Sequence, residues 1–420
     1  MPSIMDDGNS NAPASEPKTV STRFLKDLFS QTKVDATPFV NTIIREAVGL
    51  ASSDIFFEPA KNTVRVRSRI DGVMYYLGEF SLDEFPQISS RIKVLSQLDP
   101  TEKRRIQEGQ FTLNLEGRVV NLRVEIAQTI HGELIVIRIH EKQSIVMPLS
   151  DLGFSKKTDE IYRDMLRSMS GLILVCGPTG CGKTTTLYST INQLNENQTY
   201  NIMTIEDPVE YQLQGVNQMQ TKNDMGFTFA EGLRTILRLS PDVIFVGEIR
   251  DRETAQIAVE SGLTGQLVLS SVHAEDSVGA LFRLLDLGVE SYLLNAALLG
   301  IVAQRLVRKN CLECQIPVSP TPEQSEYFLK TTGRSPKQFM VGKGCPSCQN
   351  LRYKGRTGIY EVLKMDSKVR DLVRSRASED ILRDTLKSHG FLTLLQDGIE
   401  KAERGVTTID EVLRNSLRSS

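Results

Sequence analysis

A glycine-rich segment in the middle of the chain constrains its fold more than any other feature. The segment matches the pattern G-x-x-x-x-G-K-[ST], follows an apolar run at 172–176 and precedes a predicted helix. Glycines let backbone N–H groups curl around phosphates, and the helix N-terminus adds partial positive charge. A chance glycine-rich turn would not explain this strand-to-helix context. The segment consists of Gly177, Pro178, Thr179, Gly180, Cys181, Gly182, Lys183 and Thr184, with Thr185 next.

Two side chains of this P-loop have separate expected roles. Lys183 can neutralise the β- and γ-phosphates of a nucleotide, and the Thr184 hydroxyl can ligate Mg²⁺. The sequence therefore predicts a nucleotide site with Mg²⁺ at residues 177–185.

Four short apolar runs, at 172–176, 202–205, 243–246 and 267–272, predict the fold class. Each run ends in a polar or glycine-rich signal, and helix-like segments separate them. This alternation is typical of a parallel sheet buried on both faces. We therefore expect an α/β fold with ligands bound beyond the carboxyl ends of the strands.

Ionisable residues follow three of these runs. Glu248 comes directly after the third run and is the first candidate for the group that orients water in hydrolysis. Glu210, in an acidic cluster at 206–210, is the second candidate, and His273 at the end of the fourth run could contact a γ-phosphate. The alternatives stay open at this point, because loop carboxylates are often merely solvated and a lone histidine is more often structural.

The N-terminal third has a different pattern. Residues 1–20 are rich in Ser, Pro, Asn and Asp, which predicts a disordered tail. Apolar residues at helical spacing in the forties predict an amphipathic helix, and residues 54–140 look strand-rich. Alternating valine and arginine places Arg65, Arg67 and Arg69 on one strand face. That face is either solvated or a set of arginine fingers that reach nucleotide across a domain or subunit interface.

Four of the six cysteines form two C-x-x-C pairs, Cys311 with Cys314 and Cys345 with Cys348. Two such pairs suit a closed, tetrahedral zinc site with a structural role. The alternative is two unrelated thiol pairs or a redox couple.

Composition excludes several classes of protein. The 50 Lys and Arg residues nearly cancel the 52 Asp and Glu residues, giving a net charge of −2, which argues against a nucleic-acid partner. No stretch approaches about 18 consecutive apolar residues, so no transmembrane helix is expected. Few cysteines and no signal peptide indicate a reducing cytoplasm.

These motifs occur in an order that resembles the secretion ATPases of type II secretion and type IV pilus assembly, over roughly residues 36–415. The matching segments are S-D-I-F-F-E-P at 53–59, R-V-R-S-R-I-D-G at 65–72, K-T-T-T-L-Y at 183–188, T-I-E-D-P-V-E at 204–210, S-P-D-V-I-F-V-G-E-I-R-D-R at 240–252, L-T-G-Q-L-V-L-S-S-V-H at 263–273 and Q-R-L-V-R at 304–308.

The resemblance implies a cytoplasmic homo-hexamer that hydrolyses ATP and acts at the inner membrane through a polytopic platform protein, with a cytoplasmic membrane-adaptor protein as a further partner. Lys183 and Thr184 would hold nucleotide and Mg²⁺, and Glu248, supported by Glu210, would activate water. His273 would contact the γ-phosphate region. Basic contacts would come from Arg67 and Arg69 on the other domain.

The paired cysteines favour an assembly motor, since retraction motors share the ATPase core but usually lack them. A retraction ATPase is the first alternative, and a RecA-like nucleic-acid motor or a non-hydrolysing scaffold protein is less favoured. Composition and the resemblance together predict a disordered tail (1–35), an N-terminal α/β domain with the arginine strand (36–143), a linker (144–155), a RecA-like ATPase core (156–308), a zinc-binding lobe (309–362) and a helical C-terminal portion (363–420).

The chain also departs from the family pattern. Gln266 replaces the first histidine of the 263–273 segment, Phe56 replaces another histidine, and Gln110 replaces an arginine. Cys181 replaces the usual P-loop serine, a change expected to be tolerated because the motif leaves that position open. Only about 35 residues precede the matched region, fewer than the extra N-terminal domain of many relatives would need.

Overall fold

The computed structural model describes residues 19–20, 23–30, 35–115, 117–141 and 146–416. The chain divides into two compact units, residues 1–142 and 143–420. Among the described helices, none combines the length and the apolar character needed to cross a membrane.

The first unit is an antiparallel sheet with helices. Its strand order is β3-β2-β1-β6-β5-β4. Residues at alternate positions of β1 and β2, such as Ile55, Phe57, Val64 and Val66, are fully buried, whereas the arginines of β2 lie on the other face. The elements are α1 (Arg23–Phe29), α2 (Ala36–Gly49), β1 (Ser52–Pro59), β2 (Thr63–Ile70), β3 (Val73–Ser81), α3 (Phe85–Leu95), β4 (Gln107–Leu115), β5 (Arg118–Thr129) and β6 (Gly132–Glu141).

The predicted amphipathic helix is α2, whose buried face consists of Phe39, Val40, Ile43, Ile44 and Ala47. Asp35 caps its N-terminus by accepting a hydrogen bond from the Thr37 N–H at 3.1 Å. The spacing of apolar residues therefore identified this helix correctly.

The structure differs from the expected tail at α1, which lies within residues 1–35. Leu25 is 1% exposed, and the Phe29 ring packs edge-on against Phe39 with 5.6 Å between ring centroids. Room for Phe29 comes from Gly78, where a Cβ would lie 2.3 Å from the ring. This packing stabilises a helix that the polar composition of the preceding residues did not predict. The remaining tail positions, 1–18, 21–22 and 31–34, lie outside the described residues.

The second unit is built on a seven-stranded sheet of order β15-β12-β7-β11-β10-β8-β9. The pairs from β12 to β9 are parallel, and β15 is antiparallel to β12. The elements are α4 (Lys156–Leu166), β7 (Gly171–Cys176), α5 (Lys183–Leu194), β8 (Ile202–Glu206), β9 (Asn217–Gln220), α6 (Phe229–Leu237), β10 (Val243–Val246), α7 (Arg252–Leu263), β11 (Leu267–Val272), α8 (Ser277–Asp286), α9 (Ser291–Ala297), β12 (Leu298–Asn310), β13 (Gln315–Val318), α10 (Pro322–Thr332), β14 (Phe339–Gly342), β15 (Tyr353–Lys364), α11 (Ser367–Arg374), α12 (Glu379–Ser388), α13 (Leu394–Glu403) and α14 (Ile409–Ser416).

All four predicted apolar runs are strands of this sheet, namely β7, β8, β10 and β11. Every residue of each of them is buried. The expected α/β fold with a parallel core is therefore confirmed.

Two stretches have a different role from the one that the sequence suggested. Residues 353–362, placed in the zinc-binding lobe, belong to β15 at the edge of the sheet, so that the lobe between β12 and β15 covers residues 311–352. Part of the expected linker packs into the core, because Leu149 and Leu152 are 3% and 6% exposed. The Leu152 carbonyl accepts a hydrogen bond from the Tyr360 hydroxyl at 3.0 Å.

A buried ion pair fixes α13 on β15. Lys401 and Asp397 form a salt bridge in which the side chains are 3% and 0% exposed. Lys401 also donates to the Gly358 carbonyl at 2.8 Å, and Asp397 accepts from the Tyr360 N–H at 2.8 Å. Burial lowers the pKa of Lys401, and Asp397 opposes that shift. Removing one partner leaves an uncompensated buried charge.

We expect Lys401→Met to lower the free energy of unfolding by about 3 kcal/mol, because Asp397 would keep a buried charge without its partner. The double variant Lys401→Met/Asp397→Asn removes the charge but keeps the acceptor for Tyr360, and should recover part of the loss. Urea unfolding monitored by circular dichroism measures the free energy of unfolding of both variants. Equal losses in the single and double variants would contradict this account.

Candidate active site

The P-loop connects β7 to α5. Gly177 has φ +150°, and a Cβ at this position would lie 2.5 Å from the Cys181 sulfur and 2.6 Å from the Gln304 carbonyl oxygen. Gly182, with φ +92°, precedes the first residue of α5. Positive φ and close packing both require glycine at these two positions. The loop therefore has the backbone curvature that the motif predicts.

The Lys183 side chain folds back over the loop. Its ammonium group donates to the carbonyls of Gly177 and Pro178, at 2.8 and 3.1 Å. Thr184, the first-turn threonine of α5, is exposed. The cation and the hydroxyl thus both lie at the N-terminus of α5, where anions are stabilised.

Cys181 is more constrained than its position in the motif suggested. The residue is 4% exposed, and its sulfur occupies the space that a side chain at Gly177 would need. The motif does not show this packing, and the expected tolerance of cysteine in place of serine at 181 stays a prediction.

Glu248 and His273 meet at the carboxyl edge of the sheet. Glu248 follows β10, and His273 follows the neighbouring strand β11. His273 Nε2 lies 3.6 Å from one Glu248 carboxylate oxygen, and Arg250 forms an ion pair with the other oxygen. The Glu248 side chain is 15% exposed, whereas that of His273 is 54% exposed. The predicted water-activating and phosphate-contacting groups are thus neighbours.

The electrostatic surroundings keep His273 neutral. Partial burial and the positive charge of Lys183 lower the pKa of His273, Glu248 raises it, and Arg250 lowers it again. The pKa of His273 therefore lies below its ordinary value, so the imidazole is mostly uncharged at neutral pH. The influence of Lys183 on this pKa also links His273 electrostatically to the P-loop.

The acidic cluster after β8 divides into two kinds of residue. Glu206 is 3% exposed and accepts hydrogen bonds from Thr204 at 2.6 Å, from Gln218 at 3.0 Å and from the Tyr188 hydroxyl. Glu210 is exposed, and its carboxylate makes none of the hydrogen bonds or ion pairs found in the described part of the chain. Glu206 is therefore held by buried hydrogen bonds, whereas the Glu210 side chain is exposed to solvent.

The arginine face of the first unit contains carboxylates as well. Arg67 forms a two-pronged pair with Glu58, at 2.6 and 2.5 Å, which raises the pKa of Arg67. Arg69 and Arg138 share Asp54, at 3.5 and 3.1 Å. The alternation of residues in β2 thus puts its arginines on one face, as predicted. Arg67, Arg69 and Arg138 are each paired with a carboxylate of their own sheet.

The four predicted metal ligands form one cluster. Their sulfur atoms all lie within 4.8 Å of one another. The Sγ–Sγ distance is 3.7 Å for Cys311–Cys345, 3.9 Å for Cys314–Cys348 and 3.7 Å for Cys345–Cys348. Tetrahedral zinc with bonds of about 2.3 Å requires sulfurs about 3.8 Å apart. The N–H groups of Gly344 and Cys345 donate to two of these sulfurs, each at 3.3 Å, so the cluster can hold a tetrahedral metal ion.

Gln266 lies away from the carboxyl edge of the sheet, where Glu248 and His273 meet. It precedes β11, whereas His273 follows it. A six-residue strand spans about 20 Å. Gln266 instead accepts a hydrogen bond from the Thr264 hydroxyl at 2.8 Å. The residue at 266 therefore does not contact the P-loop of its own chain.

One buried residue at the P-loop was missed from the sequence. Gln304 is 1% exposed, and its side chain donates to the Cys181 carbonyl at 2.8 Å and accepts from the Thr186 hydroxyl at 2.8 Å. In the sequence this residue stands out only as the first position of the 304–308 segment. No local pattern could reveal a contact that spans more than a hundred positions.

Comparison with known proteins decides the family. The family model described as "Type II/IV secretion system protein" matches residues 31–414. The chain belongs to this family. The resemblance seen in the motifs is thereby confirmed, and with it the expectation of an ATP-hydrolysing enzyme.

Relatives found by sequence similarity belong to type II secretion systems. The chain is 40% identical over 380 residues to the type II secretion system ATPase E of Vibrio cholerae, covering 90% of this chain and 75% of that protein. It is 42% identical over 375 residues to type II secretion system protein E of Pseudomonas aeruginosa, covering 89% and 74%.

Solved structures confirm the fold. The ATPase DotB of Legionella pneumophila superposes with a TM-score of 0.66 at 19% identity, over 91% of this chain and 96% of that chain. The pilus retraction motor PilT with bound ADP superposes with a TM-score of 0.57 at 24% identity, over 89% and 95%.

We expect Gly177→Ala to weaken nucleotide binding by more than tenfold, because the added Cβ would force Cys181 or Gln304 to move. Gly265→Ala is the matched control, since Gly265 has φ +112° but nothing within 4 Å of an added Cβ. That control should lose about 1 kcal/mol of stability from backbone strain alone. Fluorescent-nucleotide titration and thermal unfolding measure both effects, and unchanged affinity in Gly177→Ala would contradict the reasoning.

Proposed function

We propose that this chain is a motor ATPase that hydrolyses ATP to drive assembly of a type II secretion pseudopilus or a type IV pilus. The observation that carries the proposal is the meeting of the P-loop, Glu248 and His273 at one sheet edge, in a member of the type II/IV secretion family. Relatives at 40–42% identity are named as type II secretion proteins.

In the proposed reaction, backbone N–H groups of the P-loop and Lys183 hold the phosphates of ATP. Lys183 then exchanges its bonds to Gly177 and Pro178 for phosphate oxygens. The exposed Thr184 hydroxyl would be the protein ligand of Mg²⁺, and that ion would supply charge neutralisation of the phosphates when bound.

Glu248 is the proposed general base. Its carboxylate oxygens face His273 and Arg250, and the side chain is only partly exposed. A water molecule between this carboxylate and the γ-phosphate would lose its proton to Glu248 as it attacks the γ-phosphorus, while the bond from phosphorus to the β–γ bridging oxygen breaks and ADP leaves. Neutral His273 can donate a hydrogen bond to a phosphate oxygen without adding a competing charge, and exposed Glu210 supports Glu248 from the end of β8.

Arg67 and Arg69 are the proposed basic contacts to the nucleotide. Arg67 is paired with Glu58, so it would exchange that carboxylate for phosphate, a substitution that the planar guanidinium tolerates without loss of its paired geometry. Arg69 is held less closely, at 3.5 Å from Asp54.

The four-cysteine cluster is proposed to bind structural zinc. Its sulfur spacing fits a tetrahedral ion, and the closed set of four thiolates leaves no position for substrate. Zinc would stabilise a lobe that is held to the sheet by short connections.

The proposed assembly is a cytoplasmic homo-hexamer at the inner membrane. Hydrolysis would act on a polytopic platform protein, with a cytoplasmic adaptor as a further contact, and no nucleic acid would take part. The family match and the relatives' names support this picture. A retraction motor is the second candidate, favoured by the superposition with PilT, but the sequence relatives at 40–42% identity are named for secretion.

Glu248→Gln should bind ATP normally and lower turnover by about a hundredfold or more, because basicity is lost while shape is kept. Glu210→Gln is the matched control and should lower turnover less. Lys183→Ala should abolish nucleotide binding. Phosphate release and nucleotide titration measure these effects, and turnover near wild type in Glu248→Gln would assign the base to Glu210.

Purified protein should contain one zinc ion per chain, measured by atomic emission. Cys345→Ser should lose the metal and lower the unfolding temperature, because three thiolates bind zinc more weakly than four. Cys181→Ser is the control, since its thiol lies outside the cluster and zinc should remain. A metal-free wild type with a Cys311–Cys345 disulfide would favour the redox alternative.

Deletion in the source organism tests the function itself. Loss of folded exoproteins from the medium indicates a secretion motor, whereas loss of surface pili indicates a pilus motor. Excess pili without twitching would favour the retraction alternative, and ATPase stimulation by DNA or RNA would favour the nucleic-acid motor. A complementing Glu248→Gln copy should fail to restore the phenotype.

A further inference from the structure

A row of buried polar groups ends at the backbone of the P-loop. Tyr162 Oη lies 2.6 Å from Thr190 Oγ1, which donates to the Thr186 carbonyl at 2.8 Å. The Thr186 hydroxyl donates to Gln304 Oε1, and Gln304 Nε2 donates to the Cys181 carbonyl, both at 2.8 Å. These four side chains are at most 1% exposed. The row therefore connects α4, α5 and β12 to the loop through direct hydrogen bonds.

The orientation of the Gln304 amide is determined by its partners. The Cys181 carbonyl can only accept, so the nitrogen of Gln304 must face it. The oxygen of Gln304 then faces the Thr186 hydroxyl, which can donate. With the amide turned over, two acceptor oxygens would face each other in a buried site, which is unfavourable. Gln304 thus has one stable orientation.

Holding the Cys181 carbonyl also orients the next N–H group. In a trans peptide the C=O of one residue and the N–H of the next point in opposite directions. A Cys181 carbonyl that points to Gln304 therefore turns the Gly182 N–H away from Gln304, which is buried. Phosphate binding by a P-loop depends on N–H groups that point outward in this way.

Gln304 also lies close to the backbone of two glycines of the loop. A Cβ at Gly177 would lie 2.6 Å from the Gln304 backbone oxygen, and a Cβ at Gly182 would lie 3.1 Å from its side-chain nitrogen. One residue of β12 thus packs against the beginning and the end of the glycine-rich segment. Its removal would release the peptide between Cys181 and Gly182 while the strand itself stays hydrogen-bonded to β7 and β15.

We propose that Gln304 is a positioning residue of the nucleotide site, which sets the direction of the Gly182 N–H by holding the Cys181 carbonyl. This inference rests on the proposed function, in which the P-loop binds ATP. Gln304 does not touch the nucleotide. It acts through the loop backbone, so its loss affects phosphate binding more than the chemical step.

The test compares Gln304→Met with Asn310→Leu in the full-length chain. Both variants remove a buried amide from β12 and nearly conserve volume. Asn310 is 3% exposed and donates to the carbonyls of Met340, Gly405 and Thr407 instead of the P-loop. Loss of stability is therefore common to both variants, whereas loss of phosphate positioning is specific to Gln304→Met.

Titration with a fluorescent ATP analogue should show about tenfold weaker binding for Gln304→Met and wild-type affinity for Asn310→Leu. KM should rise by a similar factor in Gln304→Met, with a much smaller change in kcat. Thr186→Val should have a smaller effect, and adding it to Gln304→Met should have almost no further effect, because both act through one hydrogen-bonded row.

Equal affinities for Gln304→Met and wild type, or equal losses in Gln304→Met and Asn310→Leu, would overturn the inference. Fully additive effects of Thr186→Val and Gln304→Met would do the same. A wild-type chain that binds no nucleotide would instead refute the proposed function, and that result is visible before any variant is compared.

Discussion

The parallel pairing of β7 with its two neighbours is the interaction on which the nucleotide site depends. Cys176, the last residue of β7, is level with Val272 of β11 and Ala303 of β12. The residues that come next on the three strands therefore emerge together, and they are Gly177, His273 and Gln304. Since β7 is buried on both faces, a shift of one residue in either pairing would turn its side chains into the wrong one of the two packed layers and separate these groups.

The same strand register explains how far the sequence could predict the site. Parallel strands buried on both faces are nearly continuous apolar runs, so the end of each strand is visible in the sequence. The residues directly after each run must gather at one sheet edge, which is why Glu248 and His273 could be placed beside the P-loop before the structure was known. The paired cysteines were equally readable, because their spacing is set by chemistry within short turns.

Other parts of the structure were not readable, for physical reasons. Gln304 and Glu206 look like ordinary polar residues, and only tertiary packing buries them and supplies their partners. Helix α1 depends on a space beside Gly78 that no local pattern reveals. Residues 353–362 lie in the predicted zinc-binding lobe but belong to β15, and the pairing of this strand with β12 across more than forty positions is not visible in a local pattern.

The cysteine-bearing lobe joins the sheet at two adjacent points. Asn310 of β12 pairs directly with Tyr353 of β15, and the Cys311 N–H donates to the Arg352 carbonyl at 3.1 Å. The chain thus leaves the sheet and returns to it at neighbouring positions. Topologically, residues 311–352 are an enlarged hairpin turn, and a short turn could close the same two strands at little cost in loop entropy. The lobe is nevertheless not independent, because its Phe328 and Phe339 pack in one apolar cluster with Ile399 and Val412 of α13 and α14. Removal of the lobe would therefore keep the order of the sheet strands but expose apolar side chains of the C-terminal helices.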